Sequence, residues 1–126
     1  MAHGQFIWNE LTTHNVEKAK AFYADTLGWT FEAMPGAANG ATYWVAKMGE
    51  ARIGGLFPLD PQTCANVPEG WFPYVDVDNV DTRVAKALER GARLMRPIFD
   101  IPNVGRIAIL TEPGGAAVAW MTPFPK

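Results

Sequence analysis

Asn15-Val16-Glu17-Lys18-Ala19 and, 64 residues further on, Asn79-Val80-Asp81-Thr82-Arg83 are two versions of one helix start. Each opens on an asparagine, whose side-chain oxygen can accept a hydrogen bond from an otherwise unpaired first-turn N–H. Each then places a carboxylate, Glu17 or Asp81, where the helix dipole favours negative charge. The first helix carries Val16, Ala19, Phe22, Tyr23 and Leu27 on one apolar face and closes at Gly28; the second carries Val80, Val84, Ala87 and Leu88 and closes at Gly91. Strand-like runs precede both, Phe6–Leu11 and Trp71–Val77, and three more follow each. In the first half these are Trp29–Ala33, Thr42–Met48 and Arg52–Phe57, the last two joined by a tight turn at Gly49-Glu50; in the second they are Arg93–Pro97, Arg106–Thr111 and Ala116–Met121. The expected fold is α+β: two tandem βαβββ modules, residues 5–57 and 71–122, joined by a proline-bearing linker over 58–70. Two copies are too few for a solenoid, which needs at least about three repeats to bury a continuous core. A lone curved sheet with one helix buries one face, so the two sheets are expected to close around a shared cleft.

Composition narrows the function. With 126 residues, 48% of them hydrophobic and 19% charged, the chain is of a size and kind to build one globular core. A net charge of −2 provides no basic stripe, so nucleic acid is not an expected partner. No apolar run approaches the ~20 residues of a membrane span, and Met1-Ala2-His3-Gly4-Gln5 has none of the features of a secretory leader. A cytoplasmic location without membrane association is the expectation. Cys64 is the one cysteine, which excludes a disulfide framework. Two histidines, His3 and His14, limit any mechanism that depends on imidazole, whereas five tryptophans and seven phenylalanines suit an aromatic-walled cavity.

Four stretches belong together: Trp8-Asn9-Glu10-Leu11, the helix end Ala21-Phe22-Tyr23 with Leu27-Gly28-Trp29, the run Tyr74-Val75-Asp76-Val77-Asp78-Asn79-Val80-Asp81, and the closing Glu112-Pro113-Gly114-Gly115-Ala116. In this order they resemble the vicinal oxygen chelate superfamily, which includes glyoxalase I, bleomycin-resistance proteins and extradiol dioxygenases. The resemblance implies paired βαβββ modules, a small-molecule ligand between them and a homodimer. It also implies where metal-using members hold their ligands: on the first and last strands of each module. Here those positions fall on Trp8 and Phe72, and on Gly55 and Ala119. None of the four can ligate by its side chain, and a divalent ion needs several imidazole, thiolate or carboxylate donors. No metal and no other cofactor is therefore expected.

Glu10 stands out. Strand alternation puts it on the same side as Trp8, facing the cleft, where partial desolvation would raise its pKa and suit it to acid–base work. The alternative is a structural carboxylate that pairs with an arginine such as Arg106 or Arg52, or caps a backbone donor. Trp8, Phe72 and Tyr74 share the expected cleft face, joined by Gly55 and Phe57 from the fourth strand and by Ala119 from the last. All seven positions are candidate ligand contacts, and Glu10 is also the candidate catalytic group. The competing role for the aromatics is core packing. Tyr43 and Trp44 cannot both point inward. The two histidines and Cys64 carry no functional expectation, and Asp76, Asp78 and Asp81 read as helix-capping and dipole-stabilising carboxylates rather than a calcium loop.

Overall fold

The alternating run from Phe6 forms β1 (Phe6–Thr13), and Asn15 caps α1 (Val16–Leu27) by accepting from the Lys18 N–H at 3.0 Å. Strands β2 (Thr30–Met34), β3 (Tyr43–Met48) and β4 (Ala51–Pro58) complete the first half. The second half runs β5 (Gly70–Asp76), α2 (Val80–Glu89), β6 (Arg93–Leu94), β7 (Phe99–Ile101), β8 (Gly105–Thr111) and β9 (Ala117–Pro123). Asn79 caps α2 through the Thr82 N–H, and the helix ends at Arg90, with Gly91 following at positive φ. The computed structural model describes residues 3–34, 42–62 and 64–125.

All nine strands join one curled, open sheet in the order β2-β3-β4-β1-β5-β9-β8-β6, with β7 also paired to β8. The internal repeat is written into its register. Glu10 lies opposite Gly55 where β1 and β4 run parallel, and Tyr74 lies opposite Ala119 where β5 and β9 run parallel. Each partner of the second pair is 64 residues beyond its counterpart in the first. The halves meet where β1 and β5 pair antiparallel, Trp8 with Tyr74 and Glu10 with Phe72. Asn9 therefore faces Pro73, its own counterpart, and the pseudo-twofold axis of the sheet passes through that pair.

Alternation on the strands sorts side chains to two faces. On the convex face Ala108, Leu110 and Val118 pack with Val80 and Val84 of α2, while Leu11, Ala46 and Leu56 lie under α1. The helices are not equivalent in burial. The expected apolar face of α1 is only partly used, with Phe22 58% and Leu27 50% exposed. Tyr23 holds that helix instead, stacked on Trp29 at 4.8 Å and accepting from the Trp71 indole N–H at 2.8 Å. On the concave face a third cluster joins Phe57, Phe72, Tyr74, Ile107, Ile109 and Ala119.

Two expectations change in detail. The strand expected over Arg93–Pro97 is shorter, Arg93–Leu94: Met95 still donates its N–H to the Ile109 carbonyl at 2.8 Å, but Pro97 has no N–H to continue the ladder, and β7, a strand outside the expected set, pairs with β8 from Phe99. The linker is also more than a connector. Leu59, Cys64 and Val67 are buried in the concave cluster against the second half of the sheet.

Candidate functional site

Because the linker fills part of the concave face, the remaining cleft, about 540 Å³, is bounded mainly by β1, β3, β4 and the turn between β7 and β8. Trp8 and Glu10 reach it from β1, Tyr43 and Val45 from β3, and Phe57 from β4. Tyr74, Ile107 and Met121 close the side belonging to the second half. Ile101, Pro102, Asn103 and Val104 form one lip, and Ile7 and Met34 also contribute. The lip is a tight turn, with the Val104 N–H donating to the Ile101 carbonyl at 3.0 Å and Asn103 in the left-handed region at φ 66.

Of the seven candidate ligand contacts, Trp8, Glu10, Phe57 and Tyr74 lie on the cleft surface. Phe72 is 4% exposed and packs in the cluster that the linker completes, as does Ala119. Gly55 also lies behind the surface, because the Tyr43 ring occupies the space a Cβ would take there. This settles which of Tyr43 and Trp44 points inward: Tyr43 enters the cleft, while Trp44 turns to the α1 side beneath the Lys20 ammonium, 3.3 Å from its ring centroid. Ile107 and Met121 were not among the candidates, yet each sits 64 residues after a cleft residue, Tyr43 and Phe57. The repeat alone could have found them. Nothing in the sequence points to the 101–104 lip.

Glu10 is the chemical centre of the cleft. It is 2% exposed. Tyr74 donates its hydroxyl to Glu10 Oε2 at 2.7 Å, and Tyr43 donates its own to the same carboxyl. Tyr43 in turn accepts from Trp8 Nε1 at 2.7 Å. The result is a continuous hydrogen-bonded line: indole to phenol to carboxyl, with a second phenol from the other side. Burial raises the Glu10 pKa to about 7, against the pull of the two tyrosine hydrogen bonds. Burial and the neighbouring carboxylate raise both tyrosines well above the ordinary phenol range, so both remain donors. Neither arginine offered as a partner is near: Arg52 pairs with Glu32 at 3.1 Å, and Arg106 with Asp81 and Asp100 at 2.9 and 3.0 Å.

Outside the cleft, Asp78 pairs with Arg83 at 2.9 Å, and His3 Nδ1 accepts from the Asp78 N–H at 3.0 Å. The His14 N–H donates to Glu69 at 2.9 Å. Among the described residues no three His, Cys, Asp or Glu side chains converge as metal ligands. With Trp8, Phe72, Gly55 and Ala119 at the four expected ligand positions, the donor set does not fit a divalent ion. No helix of the described residues is long and apolar enough to cross a membrane.

Known proteins share this architecture. A Mycobacterium tuberculosis protein with the name "Putative glyoxylase CFP32" is 40% identical over 123 residues, covering 98% of this chain and 46% of its own length. The chain thus spans about half the length of that relative. A glyoxylase-like domain-containing protein of Didymella fabae is 32% identical over 108 residues, covering 81% of this chain and 80% of its own. Among solved structures, the methylmalonyl-CoA epimerase of M. tuberculosis superposes with a TM-score of 0.58 at 17% identity, over 97% of this chain and 89% of that one, a likeness of fold. The family model that matches residues 5–119 spans both halves of the sheet and the linker between them. This chain belongs to the Glyoxalase/Bleomycin resistance protein/Dioxygenase superfamily.

Proposed function

We propose that the chain binds a small, planar or partly apolar organic compound in the cleft without a metal, and that Glu10 gives the ligand its polar anchor. The observation that carries this reading is the combination of aromatic walls with one buried carboxyl held by two phenols. The volume, about 540 Å³, lies within the range of small-molecule sites, about 300–1,000 Å³. Such sites are mostly apolar with a few convergent polar groups. Trp8, Tyr43 and Phe57 supply flat surface for stacking; Glu10 supplies direction.

A second reading is favoured by the proton affinity of Glu10. A carboxyl with a pKa of about 7 is poised to take and return a proton near neutrality. The corresponding chemistry is proton abstraction beside a carbonyl: the proton moves from carbon to the Glu10 carboxylate, and the C–H electron pair moves into the carbonyl to give an enolate. Tyr43 and Tyr74 would hold the carboxylate in line. The name of one relative, "Putative glyoxylase CFP32", is in keeping with an enzyme.

The test begins with mass spectrometry of whatever copurifies with the native protein, followed by titration of that compound against intrinsic tryptophan fluorescence. Binding that is abolished in Trp8→Ala, with the fold retained, supports the cleft reading. A compound that binds wild type and Trp8→Ala equally well refutes it. Turnover that falls by about 10²–10⁴-fold in Glu10→Gln while affinity holds selects the enzyme.

A further inference from the structure

The break between β6 and β7 forms one wall of a second cavity, about 710 Å³, whose other wall is the linker at Gln62, Ala65 and Asn66. It shares no lining residue with the cleft. Arg96 is the charged residue that lines it. Its guanidinium lies 3.9 Å over the Phe99 ring, and Nη1 donates to Cys64 Sγ at 3.3 Å. Its Nε is buried and has no hydrogen-bond acceptor among the described residues. Arg52, Arg83 and Arg106 are each paired with a carboxylate, whereas Arg96 takes part in none of the ion pairs among the described residues.

A guanidinium presents five N–H donors in a planar fork that matches the two oxygens of a carboxylate or phosphate. A thiol is a weak acceptor and satisfies little of that capacity. The contact with Phe99 holds the guanidinium in place, and its Nε has no acceptor among the described residues. The amides of Gln62 and Asn66 stand at the same cavity, and Leu94, Met95 and Ile98 give it an apolar surface. We propose that this groove is a second binding site, for a small organic oxyanion carrying an apolar or aromatic body. The head group binds the Arg96 fork, and the body lies along Met95 and Ile98. The groove shares no lining residue with the cleft, although Arg96 is near enough to act electrostatically on Tyr74, so the proposal is tested by its own residues and not by Glu10.

The test is two-dimensional NMR of the full chain at physiological salt, with benzoate, phenyl phosphate and neutral benzamide as probes. At millimolar concentration an anionic probe should shift the Arg96 Nε–H and the backbone amides of Gln62, Ala65, Asn66, Met95, Arg96 and Ile98, and benzamide should not. Whichever anion binds more tightly identifies the head group. Arg96→Gln should weaken binding by about tenfold or more, the worth of a hydrogen bond to a charged group. Should that variant fail to fold, Arg96→Lys keeps the charge and the stem but loses the fork, and must still weaken binding. The proposal is overturned if neither anion shifts the groove, if benzamide binds as well as the anions, if the shifts are confined to Trp8, Tyr43 and Tyr74, or if a folded Arg96 variant binds unchanged.

Discussion

Glu10 shows how one side chain acquires chemistry from its surroundings. A carboxyl in water titrates near 4.5; buried beneath Trp8 and Tyr43 it titrates near 7. The unfolded chain gives up this proton first, so the folded state holds more protons between those two values, and stability must fall as pH rises through that window. Below pH about 4.5 both states are protonated and the group has no effect; above about 7 the full loss is present. The shift corresponds to about 3 kcal/mol. Glu10→Gln keeps an acceptor for both phenols and removes the proton. Denaturant melts from pH 4.5 to 8 should therefore show the variant gaining on wild type by roughly that amount as pH rises. A wild-type-minus-variant difference that is flat across the window would mean that Glu10 is hydrated. The candidacy of Glu10 is legible from alternation alone, because Trp8 and Glu10 share a strand face. Its tyrosine partners are less so. Tyr74 lies on the neighbouring strand, but Tyr43 arrives from β3, and adjacent Tyr43 and Trp44 offer no local reason to prefer either.

Among the elements, β3 and β4 make the clearest bargain between shape and chemistry. Gly55 is bare because the Tyr43 ring lies across it, and a Cβ there would coincide with the Tyr43 hydroxyl. Gly55→Ala should push that ring aside, cost about 1–3 kcal/mol by overpacking, and break the line from Trp8 to Glu10. The diagnostic sign is a changed Glu10 titration alongside the stability loss, measured by NMR; a stability loss with an unchanged titration would mean that the ring had not moved. Helix α1 tells a different story. No residue of α1 is fully buried, whereas α2 buries Val80 and Val84. Native-state hydrogen exchange should show α1 opening well before α2, and equal protection would contradict the packing described above. The difference is hidden in sequence because Phe22 and Leu27 sit at correct helical spacing; periodicity reports which face is apolar, not whether a partner surface covers it. Similarly, Pro97 announces a break in a strand, but nothing local announces that the 58–70 linker folds back into the concave face. Its three prolines suppress periodicity, and the burial of Leu59, Cys64 and Val67 depends on strands far away in sequence.

For the whole molecule, the repeat is the part of the fold that sequence discloses best, because capping chemistry is local and both copies keep it. The homodimer that the family resemblance implies belongs to this scale, and we propose it here. Phe6, Phe22, Leu27 and Trp71 remain exposed in the isolated chain, apolar surface of the kind that association covers. Sedimentation at tens of micromolar should give about twice the 13.8 kDa mass of the chain, and a monomer at that concentration would refute association.

The pseudo-twofold axis through Asn9 and Pro73 has a consequence for what the cleft can distinguish. A perfectly duplicated cavity would accept a ligand in two poses of equal energy, related by the axis, and would be blind to which end entered first. Here the duplicated positions have diverged in chemistry: Glu10 faces its mate Tyr74 as acid to phenol, and Tyr43 and Phe57 have aliphatic or thioether mates in Ile107 and Met121. The first-half side of the cavity thus carries the carboxyl with Trp8, Tyr43 and Phe57, and the second-half side carries one phenol, Tyr74, among aliphatic and thioether groups. The duplication supplies the enclosure, and the divergence supplies a sense of direction. A chiral or prochiral guest would meet the Glu10 proton from one side only, and mirror-image guests should be told apart.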